Sequence, residues 1–337
     1  MKHTNVALFV PDEGCPHRCS FCNQKTISGF QKRLEPIDVI SACETALGGE
    51  KDLSQAEIAF FGGSFTAIEK GYMLSLLKTA KSYLDRGFFK GIRISTRPDC
   101  IDEGVLLLLK EYGVTSVELG CQSMDDTVLA LNGRGHTAKD SENACRLIKS
   151  FGFELGVQMM TGLYGDTDEK AIETAKKLIS LSPDTVRIYP TVVLKNTELE
   201  RLYESGEYKA QTLEEAVSLC SKLLKLFTEN GVKVIRLGLH SGGNVEEGFV
   251  AGAYHPAFCE KCESRLYREN IEKFLGDKKI QKGSVTLFVS KKYLSQAKGH
   301  KKENITYFND KGYNLEIKAG ETIAQYEIRL SPEAEKE

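Results

Sequence analysis

The chain has 337 residues, 41% apolar and 27% charged, with a net charge of −2. These are ordinary globular proportions, enough for about two domains with cores that need no disulfide staples. The near-neutral charge argues against a wholly basic nucleic-acid binder. Ten cysteines, beside no tryptophan, are the unusual count. They do not read as a secreted disulfide framework, which belongs to short, cysteine-dense chains. The first apolar run, Val6 to Val10, meets Pro11-Asp12-Glu13-Gly14 and is too short for a signal peptide. No apolar run approaches the about 18 residues of a membrane span. The expectation is a cytoplasmic protein with reduced thiols, in which clustered cysteines mean metal or redox chemistry.

In chain order, β-rich runs fall at Asn5–Val10, Glu57–Phe61, Gly91–Thr96, Ser116–Gly120, Glu154–Met160, Thr185–Tyr189 and Lys233–Leu239. Helical patterns lie between them, at Val105–Glu111, Glu142–Phe151, Glu169–Leu181 and Leu213–Asn230. Strands alternating with helices imply a parallel sheet with right-handed crossovers. Six or seven units predict an α/β fold of the partial (β/α)6 TIM-barrel type, ahead of an open doubly wound sheet. A boundary is expected at Ser241-Gly242-Gly243-Asn244, dividing a barrel domain, 1–243, from a small α+β domain, 244–337. There a helix, Cys262–Leu275, precedes a strand, Ser284–Ser290. Charge divides as well. Residues 261–337 hold 16 Lys and Arg against 12 Asp and Glu, a surplus of +4, leaving −6 on the remainder. Between Lys278 and Lys302 stand eight lysines and no acid.

The strongest motif is Cys15-Pro-His-Arg-Cys19-Ser-Phe-Cys22, directly after the first strand. Three thiolates at this spacing on one loop can hold three irons of a [4Fe–4S] cube and leave the fourth open to a ligand. Structural zinc normally has four protein ligands. His17 could be the fourth, but it lies between two of the others. In barrels, active residues sit at the carboxyl ends of strands. Those ends here carry Gly62-Gly63-Ser64, Ser95-Thr96-Arg97, Gln122-Ser123, Gln158 to Gly162 and Tyr189-Pro190. Paired glycines let backbone approach a ligand. Arg97 and Arg134 can bind a carboxylate bidentately, and Gln122 and Gln158 can bind ribose or adenine. Each also has a plainer reading, as a βα turn, a surface arginine or a satisfied barrel polar group.

The cysteine loop, with Phe21 before its last cysteine, resembles that of the radical S-adenosylmethionine (SAM) superfamily. That resemblance implies a [4Fe–4S] cluster on Cys15, Cys19 and Cys22, SAM chelated to the open iron, and reductive cleavage to a 5′-deoxyadenosyl radical. It also implies a flavodoxin- or ferredoxin-type electron donor. Within the superfamily, Gly62-Gly63-Ser64-Phe65, Thr96-Arg97-Pro98-Asp99, Glu118-Leu-Gly-Cys-Gln122-Ser123, Arg134-Gly135-His136-Thr137, Met159-Met160 and Tyr189-Pro190-Thr191 look like the radical domain of Elongator's catalytic subunit, which modifies tRNA. Oxygen-independent coproporphyrinogen III oxidase is a more distant relative. The likeness spans roughly residues 5–240. By it, Gly62, Gly63 and Ser64 contact the SAM methionine. Gln122 and Arg134 bind its ribose and carboxylate region, with Ser95 and Arg97 beside them, and Gln158 and Tyr189 lie near ribose and adenine. Ser95 stands where relatives carry Glu, and Gln158 where they carry His or Asp. The expected form lacks the acetyltransferase domain of Elongator.

Residues 284–318 read strand, helix, loop, helix, strand, and the loop Gly299-His300-Lys301-Lys302 faintly resembles a KH-type RNA-binding loop with Lys302 in place of its second glycine. Lys298, Lys301 and Lys302 are the candidate RNA contacts, against the plainer reading of a solvated lysine face. His255, Cys259 and Cys262 form a second metal-like cluster, for zinc or an auxiliary cluster. Cys43, Cys100, Cys121, Cys145 and Cys220 read as buried small hydrophobes. The expected function is a radical SAM enzyme acting on tRNA or other RNA. The alternatives are an RNA-binding iron–sulfur module without turnover, and a radical enzyme on a porphyrin-like small molecule.

Overall fold

Runs in which β-branched and aromatic residues alternate with polar ones form the strands of one parallel sheet. The computed structural model describes residues 5–10, 15, 18–24, 26, 32–49, 52–239 and 245–330. His17 and the linker 241–244 lie outside these residues. The strands are β1 (Asn5–Phe9), β2 (Glu57–Phe61), β3 (Gly91–Thr96), β4 (Val114–Gln122), β5 (Glu154–Thr161), β6 (Thr185–Pro190) and, after a short β7 (Val192–Leu194) that pairs elsewhere, β8 (Lys233–Leu237). They hydrogen-bond in the order β1-β2-β3-β4-β5-β6-β8. Among the described residues no ladder joins β8 to β1, so the sheet is a curled, open part of a barrel, as expected from the alternating pattern.

Helices connect the strands of this sheet, with β7 intervening after β6. The long ones are α1 (Pro36–Leu47), α2 (Lys70–Asp85), α3 (Glu103–Glu111), α5 (Ala138–Ser150), α6 (Asp168–Ser180) and α8 (Leu213–Glu229), with α4 (Asp126–Leu131) and α7 (Glu198–Glu204) as short insertions. Thr137, Thr167 and Thr212 cap α5, α6 and α8 by accepting a backbone N–H from the first turn. The helices bury apolar stripes such as Leu76, Leu77 and Ala80 of α2 against Ile58, Phe60, Ile92 and Ile94 of the sheet. Each such side chain contributes about 1.5–3 kcal/mol by leaving water.

Side chains alternate across a strand, so the residues between these apolar ones face the concave side. There a charge network fills the amino half. Arg93, wholly buried, donates to Glu57 (2.8 Å), Glu118 (3.2 Å) and Glu154 (2.7 Å). Arg187 donates to Glu118 at 3.1 Å, and Ser116 to Glu57 at 2.6 Å. Arg93 holds Glu57 below the usual carboxylate range although burial opposes it.

β7 pairs antiparallel with β9 (Phe249–Gly252), which follows α9 (Val245–Gly248). Next comes α10 (Phe258–Asp277), whose first half packs on the main core. Its second half, with Tyr267, Ile271 and Leu275, belongs to a separate core. That core is completed by β10 (Gly283–Ser290), α11 (Leu294–Lys298), α12 (Glu303–Asp310) and β11 (Tyr313–Gly320). β10 runs parallel to β11 and antiparallel to β12 (Arg329–Leu330).

Candidate functional site at the carboxyl ends of the strands

The carboxyl half of the same concave face differs from the charge network below it. Ser95 Oγ, Arg97 Nη1, Gln122 Oε1 and Arg134 Nε are all buried and lack a hydrogen-bond partner. Buried polar atoms normally have partners, so four such atoms around one set of strand ends mark a place built for a polar ligand. The backbone is shaped for the same purpose. The β4–β5 register shifts between Gly120 and Gln122, and Gln122 takes φ +64°. A bulge of this kind re-aims a side chain, and a non-glycine residue in this conformation stores strain characteristic of functional sites. At Gly62 (φ +84°) a Cβ would stand 3.0 Å from the Val10 carbonyl oxygen.

The cysteine loop lies over these ends. Cys19 Sγ accepts a hydrogen bond from Arg134 Nη1 at 3.0 Å. Cys15 Sγ is 3.6 Å from Ser64 Oγ and 3.9 Å from Gln24 Nε2, while Gln24 Oε1 accepts the Gly63 N–H at 3.0 Å. Phe21 is half-buried and packs with Val193, Leu199, Leu202 and Tyr208. Among the described residues no three His, Cys, Asp or Glu side chains stand close enough to hold one metal ion. The donor chemistry nonetheless fits an iron–sulfur cluster: three thiols on one loop, with polar N–H groups turned toward two of the sulfurs.

Other expected residues are placed as follows. Arg97 is held by Asp99 through two bonds of 2.9 Å, and its Nη2 also donates to the Arg134 carbonyl, leaving Nη1 unpartnered. Arg134 Nη2 donates to the Gly120 carbonyl at 2.6 Å. Gln158 donates to Glu118 at 3.1 Å and so connects the site to the network below. Tyr189 is half-buried beside Arg187. His136 stands in the sequence reading only as part of a motif, with no role assigned. It is buried, 3.3 Å from the Cys121 carbonyl and 3.9 Å from Asp99. Burial, reinforced by Arg134, depresses its pKa to about 4.

The second cysteine cluster does not form a metal site. His255 Nδ1 accepts the Ala257 N–H at 3.0 Å, and Cys262 is wholly buried in the core. Burial pushes the Cys262 thiol up. Cys262 is a packing residue, whereas Cys259 is exposed. Of the five remaining cysteines, Cys43, Cys121, Cys145 and Cys220 are buried as expected, but Cys100 is half-buried, after a turn that follows β3.

Comparison with known proteins matches residues 10–178, half of the chain, to the radical SAM superfamily. The chain belongs to the radical SAM superfamily. Residues 183–268 match the radical SAM C-terminal domain, a stretch that crosses the boundary expected at 243. This radical SAM chain is 28% identical over 230 residues to an uncharacterized protein of Methanocaldococcus jannaschii, covering 66% of this chain and 67% of that one. It is 26% identical over 256 residues to the tRNA uridine(34) acetyltransferase of Methanocaldococcus infernus (64% and 48%). It is 30% identical over 194 residues to human Elongator complex protein 3 (52% and 36%). The chain therefore spans about half or less of the length of these named relatives. Its fold resembles that of the M. infernus Elp3 structure with residues 1–46 deleted (TM-score 0.63, 22% identity, 83% and 64% covered). Among the described residues no helix is long and apolar enough to cross a membrane.

Proposed function

We propose that this chain holds a [4Fe–4S] cluster on Cys15, Cys19 and Cys22, binds SAM across the strand ends, and modifies RNA of the tRNA class. The observation that carries this reading is the set of unpartnered buried polar atoms, on Ser95, Arg97 and Gln122, beneath a loop of three thiols. A bound cluster of this family supplies one electron that cleaves SAM to methionine and a 5′-deoxyadenosyl radical.

The chain's own residues bind and orient. Gly62 and Gly63 bring bare backbone to the SAM methionine, and Ser64 is buried beside Cys15. Ser95 Oγ and Gln122 Oε1 offer fixed partners to ribose hydroxyls, at little cost in reorganisation because the bulge already aims Gln122. Arg97 retains both N–H groups of Nη1 for a carboxylate. Gln158 and Tyr189 border the adenine side, and Phe21 anchors the loop. The electron donor is of flavodoxin or ferredoxin type, and the setting is the reducing cytoplasm.

For the RNA we assign the C-terminal unit, 244–337. Its β-α-turn-α-β order has the turn Gly299–Lys302 between α11 and α12. Gly299, Lys301 and Lys302 take φ of +85°, +50° and +64°. Lys302 thus adopts the left-handed conformation its missing glycine would favour. Lys301 and Lys302 are exposed and Lys298 half-buried. Cationic side chains on such a turn suit a nucleic-acid backbone. The acetyl transfer named for the relatives is not carried over to this chain.

The test is anaerobic incubation of the reconstituted protein with dithionite, SAM and total tRNA. It should yield 5′-deoxyadenosine and an altered nucleoside by mass analysis. Cys19→Ala should abolish both. Spectra perturbed by SAM without cleavage under any reductant would instead mark a non-turnover module. Cleavage with salt-independent or absent RNA affinity would point to a small-molecule substrate.

A further inference from the structure

Residues 132–134, just after α4, grip the cysteine loop at three consecutive positions. The Asn132 carbonyl accepts the Ser20 N–H at 3.1 Å, and its side-chain oxygen accepts the Ser20 hydroxyl at 2.7 Å. Asn132 is itself wholly buried and fixed. Its amide nitrogen donates to the Val128 carbonyl at 2.7 Å and the Tyr164 carbonyl at 2.9 Å. Gly133 has φ +61°, and a Cβ there would stand 3.1 Å from the Arg18 carbonyl oxygen, so a side chain would push the loop away. Arg134, 6% exposed, reaches Cys19 with one guanidinium nitrogen and Gly120 with another. Arg97 binds its backbone carbonyl, and Asp99 in turn clamps Arg97. A continuous set of fixed groups therefore runs from the end of β3 to one sulfur.

We propose that Asn132, Gly133 and Arg134 form a bracket that pre-sets Cys19 for cluster assembly, and that Arg134 is a positioning residue that tunes the bound cluster rather than a ligand for the SAM carboxylate. The tuning part rests on the cluster proposed above; the bracket does not. An N–H bond to a ligating sulfur, with a buried positive charge behind it, stabilises the state that has gained an electron. Hydrogen bonds to cluster sulfurs set the reduction potential in this way. Both terminal nitrogens of Arg134 are already anchored, Nη2 to Gly120 and Nη1 to Cys19, which fixes the plane of the guanidinium. Lysine keeps the charge but lacks the planar fork that serves two acceptors at once.

The experiment uses the full chain in two states. In the metal-free protein, hydrogen–deuterium exchange across residues 18–22 is compared for wild type, Asn132→Ala and Arg134→Gln. Thermal unfolding of each variant confirms that it is folded. Exchange should accelerate at least about tenfold in both variants; unchanged exchange in both overturns the bracket. In the reconstituted protein, Arg134→Gln should retain its iron but shift the cluster's midpoint potential to more negative values, followed by EPR during redox titration. Arg134→Lys should recover part of that shift, and SAM affinity should stay within about twofold. An unmoved potential together with a tenfold loss of SAM affinity overturns the tuning role. Failure of the wild type to take up any cluster would sink the proposed function and the tuning role, and the metal-free exchange would still decide the bracket.

Discussion

The two halves of the concave face use the same residue types to opposite ends. In the amino half, Arg93 and Arg187 meet Glu57, Glu118 and Glu154, and the serine and threonine beside them donate to Glu57. In the carboxyl half, Ser95, Arg97, Gln122 and Arg134 each keep a buried polar atom without a partner. A satisfied buried network rigidifies a fold, whereas an unsatisfied one raises its energy until a ligand arrives. The contrast is one of degree, since Arg187 Nε and Thr185 Oγ1 in the amino half also lack a hydrogen-bond partner.

The most damaging way to challenge this contrast is at Arg93. Arg93→Met leaves three carboxylates around a missing cation, and breaking such a buried network costs about 3–5 kcal/mol. Urea unfolding measures the loss, and a change under about 1 kcal/mol would mean that the amino half is not what holds the sheet together. The next effect is acid sensitivity. His136 is neutral when folded, with a pKa of about 4 against 6.5 for the free side chain. The unfolded chain therefore takes up its proton first. Stability is unaffected by this group above about pH 6.5 and falls by about 3 kcal/mol as pH drops toward 4. His136→Gln should flatten that part of a stability–pH curve, and an identical acid branch would refute the assignment.

Smaller effects belong to the ligand half. Ser95→Ala and Gln122→Ala should leave thermal stability within about 0.5 kcal/mol, since neither orphaned oxygen has a protein partner to lose. SAM affinity, by equilibrium dialysis, should drop about tenfold in each. Equal losses of stability and affinity would erase the distinction between the halves. Smallest of all, Lys301→Gln and Lys302→Gln should each lower RNA affinity a few-fold and reduce the salt slope by about 0.7. Cleavage of SAM in the absence of RNA should be unchanged.

The strands were legible because local patterns encode them: all seven runs recur in the sheet, with Val114–Gln122 extending the expected Ser116–Gly120. Residue type and spacing also mark the strand ends and the cysteine loop, which the structure brings together at Cys19–Arg134 and Cys15–Ser64. Helices α1 and α2 were not singled out. α1 begins with Pro36 behind a Glu35–Asp38 capping box, and α2 behind a Glu69 cap, both weaker signals than the Thr caps elsewhere. The β7–β9 pair joins segments far apart in sequence, which no local pattern announces. The partners of Arg93 and Arg134 are equally non-local. The sequence marks Arg134 as a carboxylate binder and assigns Arg93 no role, and only the folded sheet shows Cys19 beside the one and Glu57 beside the other.

Arg93 also constrains how this sequence can drift. One guanidinium serves carboxylates on β2, β4 and β5, so the effect of replacing any one of them depends on whether the others are still present. Single substitutions there are expected to be mutually epistatic, with interaction energies of about 0.5–3 kcal/mol in double-mutant cycles. Relatives that abandon the arginine would have to exchange several acids with it, so these strands should change by concerted replacement rather than residue by residue.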